Sequence, residues 1–364
     1  MNRLDHRRLL ALQLLLAENI GPAGAAKIMR SFAHAETVFE IDSRSPKIQR
    51  WRSAIQLLQE KPKEHTVLQE LLFYWKKRGV QVLLPEEAPF PQRLLESPYA
   101  PALLFLSGEL SAEDTRALSI VGTRQSTHYG ERACRKLLRE LAPYKPTVVS
   151  GLARGIDRCA HREALQLKLR TIAVLGHGHL IPLDLEGRKL ARNICDQGAI
   201  LSPFPPDWKP QEWTFPFRNR ILSGLTQGVL VVESGIRGGA LITAKLAMEE
   251  KKEVLAVPGQ IDSVHSQGCN RLIADGAHPA LDGAAIATLF RWRECSSPQV
   301  ELPLLDLTPE ESEIYRRCPV EPKSVDSILR SLSFESSHAL AILTSLEMKG
   351  LIRMLPGNQL ERER

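Results

Sequence analysis

What the chain lacks narrows it first. Its six cysteines, at positions 134, 159, 195, 269, 295 and 318, form no Cys-x-x-Cys pair and no His/Cys metal spacing. A zinc ribbon is therefore excluded, and the thiols read as free groups of a reducing compartment. No apolar run approaches the length of a membrane span. The stretch MNRLDHRRLLALQLLLAENIG sets basic residues before an apolar segment, yet Gln13 and Glu18 interrupt it and no small-residue cleavage site follows. Leu9, Leu10, Leu12, Leu15 and Leu16 fit an amphipathic helix instead. The expectation is a soluble cytoplasmic protein with no membrane partner, no metal and no cofactor. An acidic excess is also missing: the formal net charge is +6, which suits a polyanionic partner. Residues 300–364 hold 11 acidic and 8 basic side chains, net −3, so the preceding part carries +9. The positive field lies before residue 300.

What is present is organised in three parts. With 364 residues, 43% of them hydrophobic, the chain can bury the cores of two or three domains. Residues 1–78 read as helical, with a turn at Ile20-Gly21-Pro22 and a second helix through Ala25 to Phe32. A glycine turn between short helices is what helix-hairpin-helix DNA modules use. One such hairpin with little basic charge around it fits a small helical bundle packed on its neighbour better. Val80 to Gly108 is proline-rich and reads as an extended arm or edge strands. It opens a central domain spanning 79–297.

In that domain, apolar runs of strand length recur, each followed by glycine and a helical pattern: Ala117–Val121, Thr147–Ser150, Thr171–Leu175, Ala199–Ser202, Gly228–Glu233 and Val254–Pro258. Such alternation predicts βαβ units and a mostly parallel α/β sheet with helices on both faces. The glycines fall just after the strands, in Gly122-Thr123-Arg124, Gly151 to Gly155, Gly176-His177-Gly178, Gly235 to Gly239 and at Gly259. In an open parallel sheet these loops share the carboxyl edge, where ligands bind. The row carries Arg124, Arg154 and Arg237. In FPFRNRILSGLTQGVLVVESGIRGGALIT, residues 215–243, a buried strand ends in glycines before a helix, an arrangement that favours an anion.

Residues 298–307 read as an extended linker, and 308–364 as a winged helix: helices Pro309–Arg317, Ser324–Arg330 and Glu335–Lys349, then a hairpin around Pro356-Gly357-Asn358. The third helix, ESSHALAILTSLEMKG, has almost no donors for base edges. A protein-interaction or packing role fits it better than the major groove.

The phrases SIVGTRQSTHYGE, VVSGLARGIDRCAHREAL, TIAVLGHG, FPFRNRILSGLTQGVLVVES, GGALITAKLA, VLAVPG and GCNRLIADGA, in this order over residues 103–277, resemble the DprA/Smf family of DNA-processing proteins. The resemblance implies a Rossmann-like sheet, a helical N-terminal domain and a C-terminal winged helix. It also implies a cytoplasmic homodimer that binds single-stranded DNA during natural transformation and loads a RecA-type recombinase. The chain departs from the family pattern after Gly178, where HLIPLDLEGRKLA replaces the usual Tyr-Pro and asparagine. A basic contact there falls on Arg188 or Lys189. Ser202-Pro203 stands for the common Ser-Glu, and Arg237 replaces the usual serine before Gly238-Gly239-Ala240.

The nucleic-acid-binding residues expected from these readings are Gly122, Thr123, Arg124, Gly151, Arg154, Lys189, Phe217, Arg218, Asn219, Arg220, Arg237, Gly238, Gly239 and Thr243. Arg124 is expected to meet a phosphate together with the N–H groups of a helix starting near Tyr129. Of Arg218 and Arg220, one is expected to face the edge and one to hold the loop, with Asn219 fixing backbone. Phe204, Trp208, Trp213, Phe215 and Phe217 read mostly as loop anchors, with Phe217 or Trp213 able to stack on a base. Asp157 and His161, four apart, read as a cap and a packed ring rather than an acid/base pair. Met248, Leu272 and Ile273 are the candidate dimer contacts.

Two other functions compete. Related Rossmann-like proteins hydrolyse nucleotides with a glutamate close after a glycine-rich loop, but here Thr243 is followed by Ala244, Lys245 and Leu246. No catalytic residue is assigned, and the chain is expected not to be an enzyme. A duplex-binding winged-helix regulator is disfavoured by the acidic C-terminal part.

Overall fold

The computed structural model describes residues 3–60, 65–295, 308–319, 323–330, 336–355 and 357–362. The predicted linker at 298–307 lies outside them. The chain divides into two compact units, 1–296 and 297–364.

The first unit is built on a nine-stranded sheet among the described residues: β1 (Gln81–Leu83), β2 (Leu104–Gly108), β3 (Ala117–Val121), β4 (Thr147–Ser150), β5 (Thr171–Val174), β6 (Ala199–Ser202), β7 (Gly228–Val231), β8 (Glu253–Ala256) and β9 (His278–Pro279). Their order is β1-β2-β6-β5-β4-β3-β7-β8-β9. Neighbours from β6 through β9 pair in parallel. The proline-rich arm supplies β1 and β2, an antiparallel edge laid against β6.

The central strands are apolar at almost every position because both faces are covered. Ala117, Val121, Val149, Val174, Val229 and Val231 face helices Thr214–Leu225 and Gly239–Glu249, through Ile221, Leu222, Ala240 and Ala244. The alternate residues Leu118, Ile120, Val148 and Leu230 face helices His128–Leu141 and Ile156–Gln166. This period of two assigns each side chain to one layer. Burying each large aliphatic contributes about 1.5–3 kcal/mol.

The N-terminal helices, among them Arg3–Leu16, Gly21–Ser31, Arg52–Glu60 and His65–Lys77, enclose a core that runs without interruption into Leu103 and Phe105 of the sheet layer. The second helix starts at Gly21 rather than Ala25. Pro22 is tolerated in the first turn, where its missing N–H costs nothing. Asn19 and Gly21 both have φ of 65°, which turns the chain sharply between the two helices.

The second unit has helices Pro309–Arg317, Val325–Leu329 and Ser336–Met348, and a small sheet of β10 (Lys323–Ser324), β12 (Gln359–Arg362) and β11 (Ile352–Leu355) in that order. Thr308 and Glu311 form a capping box. Glu311 also accepts from Ser345 and Lys349, tying the first helix to the third. The third helix buries Ala339, Ile342, Leu343 and Leu346 and carries no lysine or arginine.

Candidate nucleic-acid interface

The sheet order reverses between β3 and β7. Loops leaving these two strands diverge in opposite directions and open a crevice at the carboxyl edge. The Thr123 N–H donates to the Glu233 carbonyl across it at 2.8 Å.

The structure corrects the expected phosphate site at the first helix. The N-terminus of His128–Leu141 is already filled by the chain's own anion, the buried Glu233 carboxylate. Its oxygens accept from the Thr127 N–H at 2.9 Å and the Thr127 hydroxyl at 2.6 Å, and Thr127 caps the Gly130 N–H at 3.2 Å. A Cβ on Gly130 would meet Glu233 Oε2 at 2.4 Å, so glycine is required for this approach. The sequence signal was available. A glutamate ending the apolar run GVLVVE needs a buried partner.

Arg124 is exposed beside this plugged helix end, with its guanidinium 5.1 Å from the centroid of Phe215. Phe215 in turn occupies the space above Gly176, where a Cβ would lie 2.7 Å from its ring. Glu131 bonds Ser126 and Arg135 rather than Arg124. The ring therefore holds the guanidinium at the rim and leaves its donors outward.

Arg218 is withdrawn from the surface. It is 5% exposed and donates through Nη1 to the Gly151 carbonyl at 2.8 Å and to the Val174 carbonyl, joining the loops after β4 and β5. Asn219 accepts its Nε–H at 3.1 Å. Burial lowers the guanidinium pKa to about 10, against the opposing pull of Asp157. Gly151 has no room for a side chain, since a Cβ would lie 2.2 Å from Arg218 Nη1. Arg220 is half-buried between Tyr99 and Phe217, at 5.0 and 5.6 Å from their centroids. So neither arginine of the RNR triplet lies free on the edge: one pins loops and the other is sandwiched between rings.

Asp157 does not cap its own helix, whose N-cap is Gly155. Its buried carboxylate accepts from the Gly151 and Ala153 N–H groups, at 3.1 and 3.4 Å, and so shapes the loop from below. Desolvation raises its pKa. His161 bonds the Thr171 hydroxyl at 2.7 Å, and that hydroxyl donates to the Val148 carbonyl. Burial, with Arg218 nearby, lowers the imidazole pKa to about 3. His179 is held through the Ile200 carbonyl and lowered to about 4 by burial. These groups are framework.

Arg154 is 73% exposed, with Asp184 at 3.2 Å. The same carboxylate binds Arg158 at 2.7 Å and caps the Gly187 N–H at 2.8 Å. Hydrogen bonding to Arg158 leads the causes that hold its pKa down at about 2. Sequence reading missed Asp184, whose partner Arg158 lies 26 residues away. Arg188 and Lys189 are exposed on the helix that Asp184 opens.

The second glycine loop is the more open one. Helix Gly239–Glu249 starts from Gly238 with no side-chain cap, and nothing lies within 4 Å of a Cβ placed on Gly239. Arg237 is exposed beside it. Thr243, by contrast, is 1% exposed and packs below the loop. Phe204, fully buried, anchors Trp208, Trp213 and Phe217 in one aromatic cluster. Trp213 is 44% exposed at its rim. Of the candidate dimer contacts, Leu272 is 9% exposed and packs in the core with Ile273 against it, while Met248 is 38% exposed.

Comparison with known proteins adds to this geometry. The profile of the family DNA recombination-mediator protein A matches residues 81–291, and that of the DprA winged helix domain matches 298–358. Protein Smf of Escherichia coli (strain K12) is 43% identical over 205 residues, 56% of this chain and 55% of that protein, so the match spans about half of that relative. The X-ray structure of DNA processing protein A (DprA) from Streptococcus pneumoniae aligns with TM-score 0.65 and 27% identity, over 80% of this chain and 99% of that one. DNA processing protein A from Helicobacter pylori, solved to describe its single-stranded DNA binding mode, aligns with TM-score 0.51 and 27% identity, over 59% of this chain and 97% of that one.

Proposed function

This chain belongs to the DNA recombination-mediator protein A family, and from that premise we propose that it binds single-stranded DNA without sequence preference along the carboxyl edge of its sheet. The observation that supports this reading is the spacing of exposed cations on that edge. Arg124, Arg154 and Arg237 lie on loops leaving β3, β4 and β7, and Lys189 in the second turn of the helix after β5, with the uncapped start at Gly238-Gly239 among them. A row of separated charges suits successive phosphates of one strand better than a single nucleotide. The loops give the positions, and Phe215, Asp157 and Arg218 hold the loops.

In this reading Gly239 faces open space and lets a strand come close to the backbone, while Gly122, Gly151 and Gly238 make room for Ile156, Arg218 and Ser234 beneath the loops. Thr123 ties the loop after β3 to Glu233, and Asn219, Arg218 and Thr243 support from beneath. Trp213 and Phe217 offer rings to unstacked bases. The bound strand is passed to a RecA-type recombinase, and two copies pair through the Met248 side. The protein acts by binding, with no catalytic group among these residues, in the cytoplasm. A salt titration comparing single-stranded with duplex DNA tests the proposal. Preference for the single strand with affinity falling steeply as salt rises supports it, and equal or tighter duplex binding overturns it.

A further inference from the structure

Beyond the edge, the end of helix His65–Lys77 presents an unusual surface. Phe73 is 60% exposed and Tyr74 41% exposed. Each ring carries a cation from the next turn: Lys77 Nζ lies 4.4 Å from the Phe73 centroid, and the Arg78 guanidinium 3.6 Å from that of Tyr74. Lys76 is exposed between them. Trp75, in the middle of the run, is buried against Phe105, so the neighbouring rings are turned outward by a fixed helix.

This surface reaches the carboxyl edge through Tyr74, while Lys77 and Arg78 lie toward the other end of the sheet: β1, into which the helix leads, runs parallel to β6, and the Gly79 carbonyl accepts from Ser107, which pairs with Ile200 near the start of β6. The Trp75 indole N–H donates to Asp207 at 2.9 Å. Asp207 belongs to the loop that carries Trp208 and Trp213, and the Trp208 carbonyl accepts from the Gly178 N–H just after β5. Tyr74 and Asp207 line one groove of about 460 Å³ with Val67, Glu70 and Leu71. From β3 to β1 the sheet crosses five strand spacings, about 24 Å.

We propose that the pairs Phe73–Lys77 and Tyr74–Arg78 form a second contact for single-stranded nucleic acid, reached by a strand that leaves the edge over the Trp208–Trp213 loop; this rests on the edge-binding reading above. Exposed rings interleaved with cations match a strand whose bases and phosphates alternate. A duplex cannot use the rings, because its bases are already stacked. Glu70, one turn before Tyr74, confines the phosphates to the Lys77–Arg78 side.

The test uses the full chain with Phe73→Ala/Tyr74→Ala and Lys77→Glu/Arg78→Glu, against an oligothymidylate of about 6 nucleotides, enough for the edge, and one of about 20. Both variants are expected to bind the short strand like wild type and the long strand about tenfold more weakly. Arg124→Ala is expected to weaken both lengths alike. Unchanged affinity for the long strand in both variants overturns the second contact while leaving the edge intact. Equal losses on both lengths overturn it as well, because the effect then runs through the edge or the fold. Wild type that binds neither strand overturns both readings. Loss of binding to anionic phosphatidylglycerol vesicles with DNA binding unchanged overturns it in favour of a lipid surface.

Discussion

Arg124→Ala separates charge at the edge from everything beneath it. Its guanidinium is exposed, rests on Phe215, and holds none of the loops that Arg218 and Asp157 pin. Removing it leaves the fold unchanged and deletes one phosphate contact. A charge-assisted hydrogen bond contributes about 1.5–3 kcal/mol, and exposure places this one at the low end, so affinity for a single strand falls about tenfold at low salt. Each phosphate neutralised on a single strand adds about 0.7 to the steepness of log K against log salt, so the slope becomes shallower by about 0.7. Over a fourfold rise in salt the tenfold gap then narrows to about fourfold. Fluorescence anisotropy with homopolymers of each base, titrated with salt, reads both numbers. Arg124→Lys retains the slope and loses part of the affinity, because an ammonium lacks the planar stack on Phe215. A loss of affinity with an unchanged slope, or a loss that differs between bases, refutes the phosphate assignment.

Arg218→Met is expected to act through the framework. It leaves the buried Asp157 carboxylate without its nearby cation and frees two loop carbonyls, so urea denaturation should show a loss of about 3 kcal/mol, where Arg124→Ala shows none. Asp184→Asn keeps an acceptor for the Gly187 N–H and frees Arg154 from a carboxylate that competes with phosphate. Binding to single strands should tighten about threefold with a steeper salt slope; weaker binding would show that Asp184 positions Arg154 rather than competing for it. His161 and His179 have folded pKa values lowered to about 3 and about 4, below the unfolded value of 6.5, so the unfolded chain takes up protons first and stability falls as pH drops. Between pH 6.5 and 4.5 each should contribute a loss of about 1.4 kcal/mol per pH unit, read by urea titration at several pH values, and His161→Gln should remove one of the two slopes.

The sheet was legible because its strands announce themselves twice, as apolar runs and as the glycines that follow. Ala117–Val121, Thr147–Ser150 and Ala199–Ser202 coincide with the observed strands, and Gly228–Glu233 overshoots by two residues. The overshoot has a cause. Val232 still packs as a strand residue would and donates its N–H to the Val121 carbonyl, and the carbonyl of the buried Glu233 accepts from Thr123, so the backbone contact outlasts the regular strand pairing that stops at Val231. The helix start at Gly21 was masked by a glycine and a proline that usually mark turns, although both are favourable at a first turn. The antiparallel edge formed by β1 and β2 was open in the sequence only as an extended arm. Pairing partners 21 to 25 residues apart leave no local trace.

The site was legible in its backbone and only partly in its charges, and the reason is geometric. An arginine in a glycine-rich motif signals an anion equally well whether the anion is a ligand, a carbonyl dipole or a neighbouring carboxylate. Arg124, Arg154 and Arg218 illustrate the three outcomes: one rests on a ring and faces outward, one shares Asp184, and one is spent on Gly151 and Val174. What separates them is burial, Arg218 being 5% exposed on its helix while Arg124 and Arg154 lie exposed on loops, and the local sequence does not show it. The same logic moves the anion site itself. The start of His128–Leu141 already holds a threonine cap and a buried glutamate, whereas Gly238-Gly239 begins a helix with no side-chain cap and open space above Gly239. Beside the exposed Arg237, that start is the better candidate for a phosphate than the one after β3. Gly239→Asp puts a carboxylate into that space without steric conflict and should weaken single-strand binding at least as much as Arg237→Ala; an unaffected affinity would return the site to the loop after β3.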